Sequence, residues 1–181
     1  MRINTSFSVV VRLLLWALLL IGGTCLGIWL DLRHFRELFF SWIWHLLSFP
    51  AGIGLMALAF KAAAAGGREL AKSGKSSPDV PRLETDRLVT TGIYAHMRHP
   101  MLFGLTLVPL ALAFVVGSPA FITIVAPVEM VFIVVMVLTL EERECRRKFG
   151  DDYERYAREV PPVCFTPHCL RLLFFQKNSR K

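Results

Sequence analysis

Long apolar stretches separated by charged segments dominate the sequence. Eighteen consecutive residues without a charge lie between Arg12 and Asp31, and twenty-three lie between Glu37 and Lys61. Because an α-helix rises about 1.5 Å per residue, each stretch can cross a hydrocarbon core of about 30 Å. The pattern therefore predicts two membrane-spanning helices in the first third of the chain.

A further uncharged stretch, residues 101–128, is too long for a single span. Its Gly-Ser-Pro sequence at residues 117–119 is typical of a tight turn. The turn predicts one span over residues 101–116 and another over residues 119–140. The predicted fold is an all-α integral membrane protein with four transmembrane helices arranged as two hairpins.

The predicted spans divide the chain into four segments. They are an N-terminal transmembrane hairpin (1–65), a cytoplasmic connector (66–100), a C-terminal transmembrane hairpin (101–140) and a cytoplasmic tail (141–181). The connector begins with a stretch rich in Gly, Ser and Pro, a composition typical of a flexible loop. The four segments are expected to form a single membrane domain.

The tail is predicted to contain a short cytoplasmic helix. Gly150 can end the helix that leaves the membrane, and Asp151 or Asp152 can cap a new one. The new helix would carry Tyr153 and Tyr156 and would end at a Pro-Pro pair.

The distribution of Lys and Arg predicts the orientation of the chain. Basic residues are concentrated in the connector and the tail, and the turn at 117–119 has none. Since positively charged loops remain in the cytoplasm, both termini and the connector are expected there. Topology and attraction to anionic headgroups account for the formal net charge of +7. No alternation of aromatic and basic residues indicates nucleic-acid binding.

A cleaved signal sequence is the alternative interpretation of the N-terminus. Arg2 and Arg12 precede an apolar stretch, and the small residues at 22–25 resemble a processing site. The apolar stretch continues beyond these residues to Leu30, which is longer than the apolar core of a usual signal. A membrane span is therefore favoured.

The cysteines are expected to form neither a disulfide nor a metal site. Cys25 lies in the first predicted span, and the others lie on the predicted cytoplasmic side, where the reducing environment disfavours disulfides. Cys164, His168 and Cys169 lack the Cys-x-x-Cys spacing of structural metal sites.

Charged residues border both ends of the second predicted hairpin. Arg98 and His99 precede Pro100 at its start, and Glu141 and Glu142 follow its last span. Because antiparallel helices joined by a short turn stay packed, the four charged groups are expected to converge. Arg and His could bind the carboxylate of a zwitterionic ligand, and Glu could bind its ammonium or sugar hydroxyls. The alternative is that the Arg reaches lipid phosphate and the two Glu belong to a solvated helix face with Arg146 and other partners four positions away.

Two segments of the chain resemble a known family. The sequences "LVTTGIYAHMRHPMLFG" and "EERECRRKFGDDYERYAREVPP" resemble the membrane methyltransferases related to isoprenylcysteine carboxyl methyltransferase and phospholipid N-methyltransferases. The shared signature is Gly-x-Tyr, Arg-His-Pro-x-Tyr-x-Gly, Glu-Glu, Phe-Gly and Tyr-x-x-Tyr. The resemblance covers residues 88–162, and the N-terminal hairpin carries no comparable signature. Leu102 replaces the Tyr that commonly follows Arg-His-Pro-x.

The resemblance implies an S-adenosylmethionine site at the cytoplasmic end of the second hairpin, covered by the tail. The methyl acceptor would be lipophilic, either an isoprenylcysteine-type carboxylate or a phospholipid amine. Arg98 is the candidate for orienting an acidic group of the acceptor. No metal is required for this chemistry. The residues implied in cofactor binding are Tyr94, His99, Pro100, Gly104, Glu141 and Glu142.

Two other functions remain open at this point. Membrane sterol reductases resemble this architecture and use NADPH, but they are larger, and no extra basic cluster is available for the nucleotide's phosphate. A non-enzymatic scaffold or transporter would give a role to Glu129 and His45, since a carboxylate within a span must be protonated, paired or facing a cavity. The sequence gives no information on oligomeric state.

Overall fold

The computed structural model describes residues 14–77, 79, 85–164 and 166–175, which form helices joined by short loops. No strand occurs among these residues, so the prediction of an all-α chain is confirmed. Six α-helices are described: α1 (Gly23–His34), α2 (Arg36–Phe39), α3 (Trp42–Ser73), α4 (Pro100–Val116), α5 (Ala126–Glu159) and α6 (Pro167–Phe175). A π-helical turn precedes α1 (Leu18–Gly22), another precedes α5 (Phe121–Val125), and a 3₁₀ helix precedes α4 (Gly92–Ala95).

Among the described residues, three helical stretches are long and apolar enough to cross a membrane. They are Leu14–His34, Trp42–Ser73 and Phe121–Glu159. Helix α4 is also apolar but is shorter, at 17 residues. The prediction of a multi-pass membrane protein is therefore supported by three helices, and the fourth span stays a prediction.

One compact unit consists of residues 14–56 and 107–132. In this unit α3 and α4 approach so closely at Gly52 that a Cβ there would lie 2.6 Å from the backbone nitrogen of Val115. The predicted turn after α4 is confirmed, and Gly117 adopts a φ of 68°, which favours glycine. Trp44 Nε1 donates a hydrogen bond of 2.8 Å to the Gly117 carbonyl, which fixes the turn against the start of α3.

Asp31, near the end of α1, is fully buried and caps the helical stretch that follows this turn. Its Oδ1 accepts a hydrogen bond of 2.7 Å from Ala120 N, and Ser118 Oγ donates to its other oxygen. Ser118 Oγ in turn accepts from Phe121 N at 3.1 Å. The first amides of a helix lack intrahelical partners; here Ser118 caps one of them locally, and the carboxylate supplied by α1 caps another.

The same unit holds Glu129 and His45, the two residues to which the transporter interpretation gives a role. Glu129 is buried, and its carboxyl faces Gly23 of α1, where a Cβ would contact Oε1. His45 has its Nε2 2.7 Å from the Phe39 carbonyl, which gives the ring a local hydrogen-bonding role. Among the described residues, Glu129 Oε2 has no hydrogen-bond partner.

The second compact unit consists of residues 57–77, 79, 85–106, 133–164 and 166–175. Helix α3 extends past the predicted end of the hairpin at residue 65, enters the predicted connector and ends at Ser73. Gly66 and Gly104 mark close contacts between α3 and α4. A Cβ at Gly66 would lie 2.8 Å from Met101 Cγ, and a Cβ at Gly104 would lie 2.5 Å from the Ala59 carbonyl oxygen.

Helix α5 is kinked at Gly150, which has non-helical angles (φ 54°, ψ −131°). The sequence prediction that the membrane helix ends at this glycine and that a new helix follows is confirmed by this change of direction. We call residues 151–159 the tyrosine segment, because they carry Tyr153 and Tyr156.

The expectation that no disulfide forms is wrong. Cys164 and Cys169 are joined by a disulfide, with their Cα atoms 6.1 Å apart. The turn into α6 explains the proximity, because Thr166 Oγ1 accepts a hydrogen bond of 3.3 Å from Cys169 N and so folds the helix start back toward Cys164. The expectation rested on the reducing cytoplasm alone and not on this local geometry. Cys25 and Cys145 are free.

Candidate active site

A buried cluster of charged side chains lies where α4 begins and α5 leaves its apolar stretch. Arg98 Nη2 lies 2.9 Å from Glu142 Oε1, and His99 Nε2 lies 3.3 Å from the same oxygen. His99 Nδ1 lies 3.7 Å from Glu141 Oε2. The side chains of Arg98, His99 and Glu142 are about nine-tenths buried, whereas that of Glu141 is half exposed. The predicted convergence of two basic and two acidic groups is therefore present.

The backbone of Arg98 and His99 is held by the two prolines that follow the tyrosine segment. Arg98 N donates to Pro161 O and His99 N donates to Pro162 O, both at 2.9 Å. Pro100, which follows, has no N–H and is suited to the first turn of α4. The two carbonyls thus fix the position from which both basic side chains extend. Sequence reasoning assigned the Pro-Pro pair only a helix-ending role, and no signal in the sequence indicated its carbonyl contacts.

Three tyrosines form one wall of the site. Tyr156 OH donates a hydrogen bond of 2.6 Å to the Tyr94 carbonyl, and the Tyr153 and Tyr156 rings pack edge to face at 6.1 Å. The guanidinium of Arg98 lies 5.9 Å from the centroid of the Tyr153 ring. Burial raises the pKa of the Tyr94 phenol above its ordinary value, so it remains a neutral donor at physiological pH.

Two buried polar atoms of this cluster have no hydrogen-bond partner in the part of the chain that the structure describes. They are Arg98 Nε and Tyr153 OH. Buried donors are normally paired, and an unpaired one is explained by a bound ligand, water or ion, or by a catalytic role. Both atoms belong to side chains that contact each other across the cluster. The site therefore offers two donors in addition to its ion pairs.

A pocket of about 390 Å³ opens beside the tyrosine wall. It shares Tyr156 with that wall, and its size falls in the range of small-molecule sites. Its other lining residues are Thr90, Ala95, Arg155, Glu159 and Val160. None of these five was singled out from the sequence, because their spacing carries no chemical signature.

The predicted site residues do not all join the ionic cluster. Tyr94 is connected to it through Tyr156, and its hydroxyl lies 3.4 Å from the position of a Cβ at Gly66. Pro100 is buried at the start of α4. Gly104 packs against the backbone of α3, which accounts for a glycine there, and its contact with a cofactor stays a prediction. Leu102, which departs from the family signature, is buried in the core.

Arg146 was missed as a member of the cluster. Its Nη2 lies 3.4 Å from Glu142 Oε2, and its Nη1 lies 2.6 Å from Glu154 Oε1. The sequence suggested only an ordinary pair between Glu142 and the residue four positions later. No group of three His, Cys, Asp or Glu residues suited to a metal ion occurs in the described part of the chain.

The fold and the cluster together define a class: a helical membrane protein of several candidate spans with a buried cluster of charged side chains where α4 begins. The phospholipid methyltransferase family model matches residues 47–152, more than half of the chain, and the protein belongs to this family. The resemblance to membrane methyltransferases is thereby confirmed. No curated protein and no solved structure matches the chain significantly.

The extent of the family match differs from the predicted one. It begins at residue 47, within α3, and so includes part of the N-terminal hairpin that was expected to carry no family signature. The family match therefore extends upstream of residue 88, where the predicted resemblance begins. The close approach of α3 to the start of α4 at Gly66 gives a physical reason, since α3 helps to form the wall behind Pro100 and Tyr94.

Proposed function

We propose that this membrane methyltransferase transfers a methyl group from S-adenosylmethionine to a lipophilic acceptor, and that the acceptor is a phospholipid amine. The family supports both the reaction and this acceptor class over an isoprenylcysteine-type carboxylate. The observation that carries the proposal is the Glu142-centred cluster, with its buried ion pairs and two unpaired donors. The same family assignment argues against a reductase or a scaffold.

The residues present fit the proposed cofactor. S-adenosylmethionine carries a carboxylate, an ammonium and ribose hydroxyls, and the site has both basic and acidic groups for them. His99 would bind the carboxylate, and Glu141 and Glu142 would bind the ammonium or the hydroxyls. Tyr153 OH is a buried donor without a protein partner in the described chain and would bind an oxygen of the cofactor. Tyr94 and Pro100 would form the wall, with Gly104 one turn further along α4.

Arg98 would orient the acceptor. Its Nη2 remains on Glu142, while Nε has no partner among the described residues and could donate to the phosphate of a phospholipid. The cofactor supplies a methyl group already activated on a sulfonium. A neutral acceptor amine would take this methyl group and S-adenosylhomocysteine would leave, the proton lost by the amine passing to water. The protein contributes alignment and exclusion of water, and alignment alone can supply several kcal/mol of the barrier.

The distribution of basic residues supports an orientation with both termini and the site in the cytoplasm. In this orientation the reducing cytoplasm would keep the neighbouring Cys164 and Cys169 as thiols. The acceptor would then reach the site from the inner leaflet, and the cofactor would enter from water. The pocket beside Tyr156 is one opening for this second route.

The proposed function is tested by methyl transfer to lipid. The protein in nanodiscs is incubated with methyl-labelled S-adenosylmethionine and a membrane lipid extract, and the labelled species are identified by mass spectrometry. We expect label in the amine headgroup of a phospholipid. Arg98→Gln should lower the rate about tenfold or more, because one charge-assisted contact to the acceptor is lost. Cofactor affinity should also fall, because Glu142 loses a buried partner.

Two results would contradict this proposal. If no lipid gains a methyl group and the protein binds NADPH but not S-adenosylhomocysteine, the reductase interpretation holds instead. If Arg98→Gln methylates lipid at the wild-type rate, Arg98 does not orient the acceptor.

A further inference from the structure

The kink in α5 brings together two residues that a straight helix would keep apart. Arg146 lies one turn before Gly150, and Glu154 lies one turn after it. In a regular helix, side chains eight positions apart are separated by about 12 Å along the axis. Arg146 Nη1 nevertheless lies 2.6 Å from Glu154 Oε1. This ion pair therefore depends on the kink and connects the membrane-emerging part of α5 to the tyrosine segment.

Arg146 also contacts the centre of the proposed site. Glu142 Oε1 faces Arg98 and His99, and Glu142 Oε2 lies 3.4 Å from Arg146 Nη2. Both oxygens of the buried carboxylate are thus engaged, and rotation about the last bond of the Glu142 side chain is restricted. One guanidinium bridges the carboxylate at the site to the segment that carries Tyr153 and Tyr156.

The planar guanidinium is suited to this double contact. Its nitrogens point in fixed directions and can bind two carboxylates at once, whereas a lysine ammonium is a single point charge on a flexible stem. Gly150 has no heavy atom within 4 Å of a Cβ position, so no packing contact at that residue fixes the angle of the kink. The ion pair between Arg146 and Glu154 crosses the kink within α5, alongside the contacts of Arg98 with Glu142 and the Ala157 carbonyl.

We infer that Arg146 is a positioning residue for methyl transfer. Through Glu142 it orients the carboxylate that meets the cofactor, and through Glu154 it holds the tyrosine segment closed over the site. This inference rests on the proposed cofactor site and adds to it a residue and a role. Neither the sequence signature nor the family assignment gives Arg146 a role.

Because the Arg146–Glu154 ion pair is partly exposed, its positioning role can be distinguished from a contribution to stability. The side chains of Arg146 and Glu154 are 49% and 39% exposed. Pairs exposed to this extent contribute little to the free energy of unfolding. Removing Glu154 should therefore leave the protein folded and alter the closed position of the tyrosine segment.

The test compares Glu154→Gln and Arg146→Gln with a matched control. Asp152→Asn removes an exposed ion pair with Arg155 in the same segment, without touching the kink. We expect the KM for S-adenosylmethionine to rise about three- to fivefold in Glu154→Gln, with kcat at saturating cofactor within twofold. Arg146→Gln should have the larger effect, Arg146→Lys should recover part of it, and Asp152→Asn should match the wild type.

Hydrogen exchange provides a readout that needs no cofactor. Amides of residues 151–159 should exchange faster in Glu154→Gln than in Asp152→Asn. If the wild type fails to bind S-adenosylhomocysteine, the proposed function falls, and the exchange rates still decide whether the ion pair holds the segment. The inference is overturned if Glu154→Gln equals Asp152→Asn in both KM and exchange. It is also overturned if kcat and thermal stability fall together while the KM stays constant, since that pattern indicates a purely structural role.

Discussion

Glu142→Gln is expected to lower the affinity for S-adenosylhomocysteine about 10- to 100-fold, since a charge-assisted hydrogen bond to the ligand, worth about 1.5–3 kcal/mol, is lost. The carboxylate lies within 3.4 Å of Arg98, His99 and Arg146. A neutral amide of the same shape removes the charge that these three groups share. Calorimetry on the protein in detergent micelles measures the loss directly.

Two variants serve as controls for this experiment. Glu144→Gln lies on the exposed face of the same helix and should bind like the wild type. Glu142→Asp keeps the charge on a shorter side chain and should recover part of the affinity if Glu142→Gln folds poorly. Binding by folded Glu142→Gln within threefold of the wild type would contradict the proposed role of Glu142.

Gly104→Ala is expected to lower the free energy of unfolding by about 2 kcal/mol, as overpacking in a tight core does. The added methyl group would lie 2.5 Å from the Ala59 carbonyl oxygen and 3.1 Å from Ala63 N. Both are backbone atoms of α3, which cannot rotate away as a flexible side chain would. Gly104→Val should destabilise further, and both changes should weaken cofactor binding because His99 and Pro100 lie one turn away. Thermal unfolding in micelles is the measurement.

Gly67→Ala is the matched substitution on the opposing helix. No heavy atom lies within 4 Å of a Cβ at Gly67, so the alanine meets open space. Within a helix, this change is expected to raise stability by about 0.5–1 kcal/mol. The same chemical change should thus have opposite signs at Gly67 and Gly104. Equal stability of Gly104→Ala and the wild type would show that α3 and α4 do not pack as closely as described.

The main helical elements could be predicted because each depends on a local pattern. Length without charge predicts a membrane-spanning helix, and the Gly-Ser-Pro turn at 117–119 and the break at Gly150 follow from backbone preferences. Helix α3 was placed too short, since the pair at residues 66–67 looked like the start of a flexible connector. Gly66 instead allows α3 to approach Met101 and Pro100, and this tertiary contact outweighs the low helix propensity of glycine.

The candidate site was predictable in composition but not in geometry. A short turn between two helices necessarily brings their far ends together, and this is sufficient to place Arg98 and His99 near Glu141 and Glu142. The contact of Arg146 with Glu154 depends on the angle of a kink, and the carbonyl contacts of Pro161 depend on the path of the tail. Neither angle nor path is encoded in the spacing of residue types. The Asp31 cap was missed for the same reason, because its partners lie far away in sequence.

The proposed function depends most on binding of the cofactor at the Glu142-centred cluster. Ultraviolet crosslinking of labelled S-adenosylmethionine, followed by peptide mapping, tests this claim directly. We expect the label on peptides containing residues 94–99 or 141–156, with loss of labelling when excess S-adenosylhomocysteine is present. Label confined to other peptides, or labelling that S-adenosylhomocysteine does not displace, would contradict it.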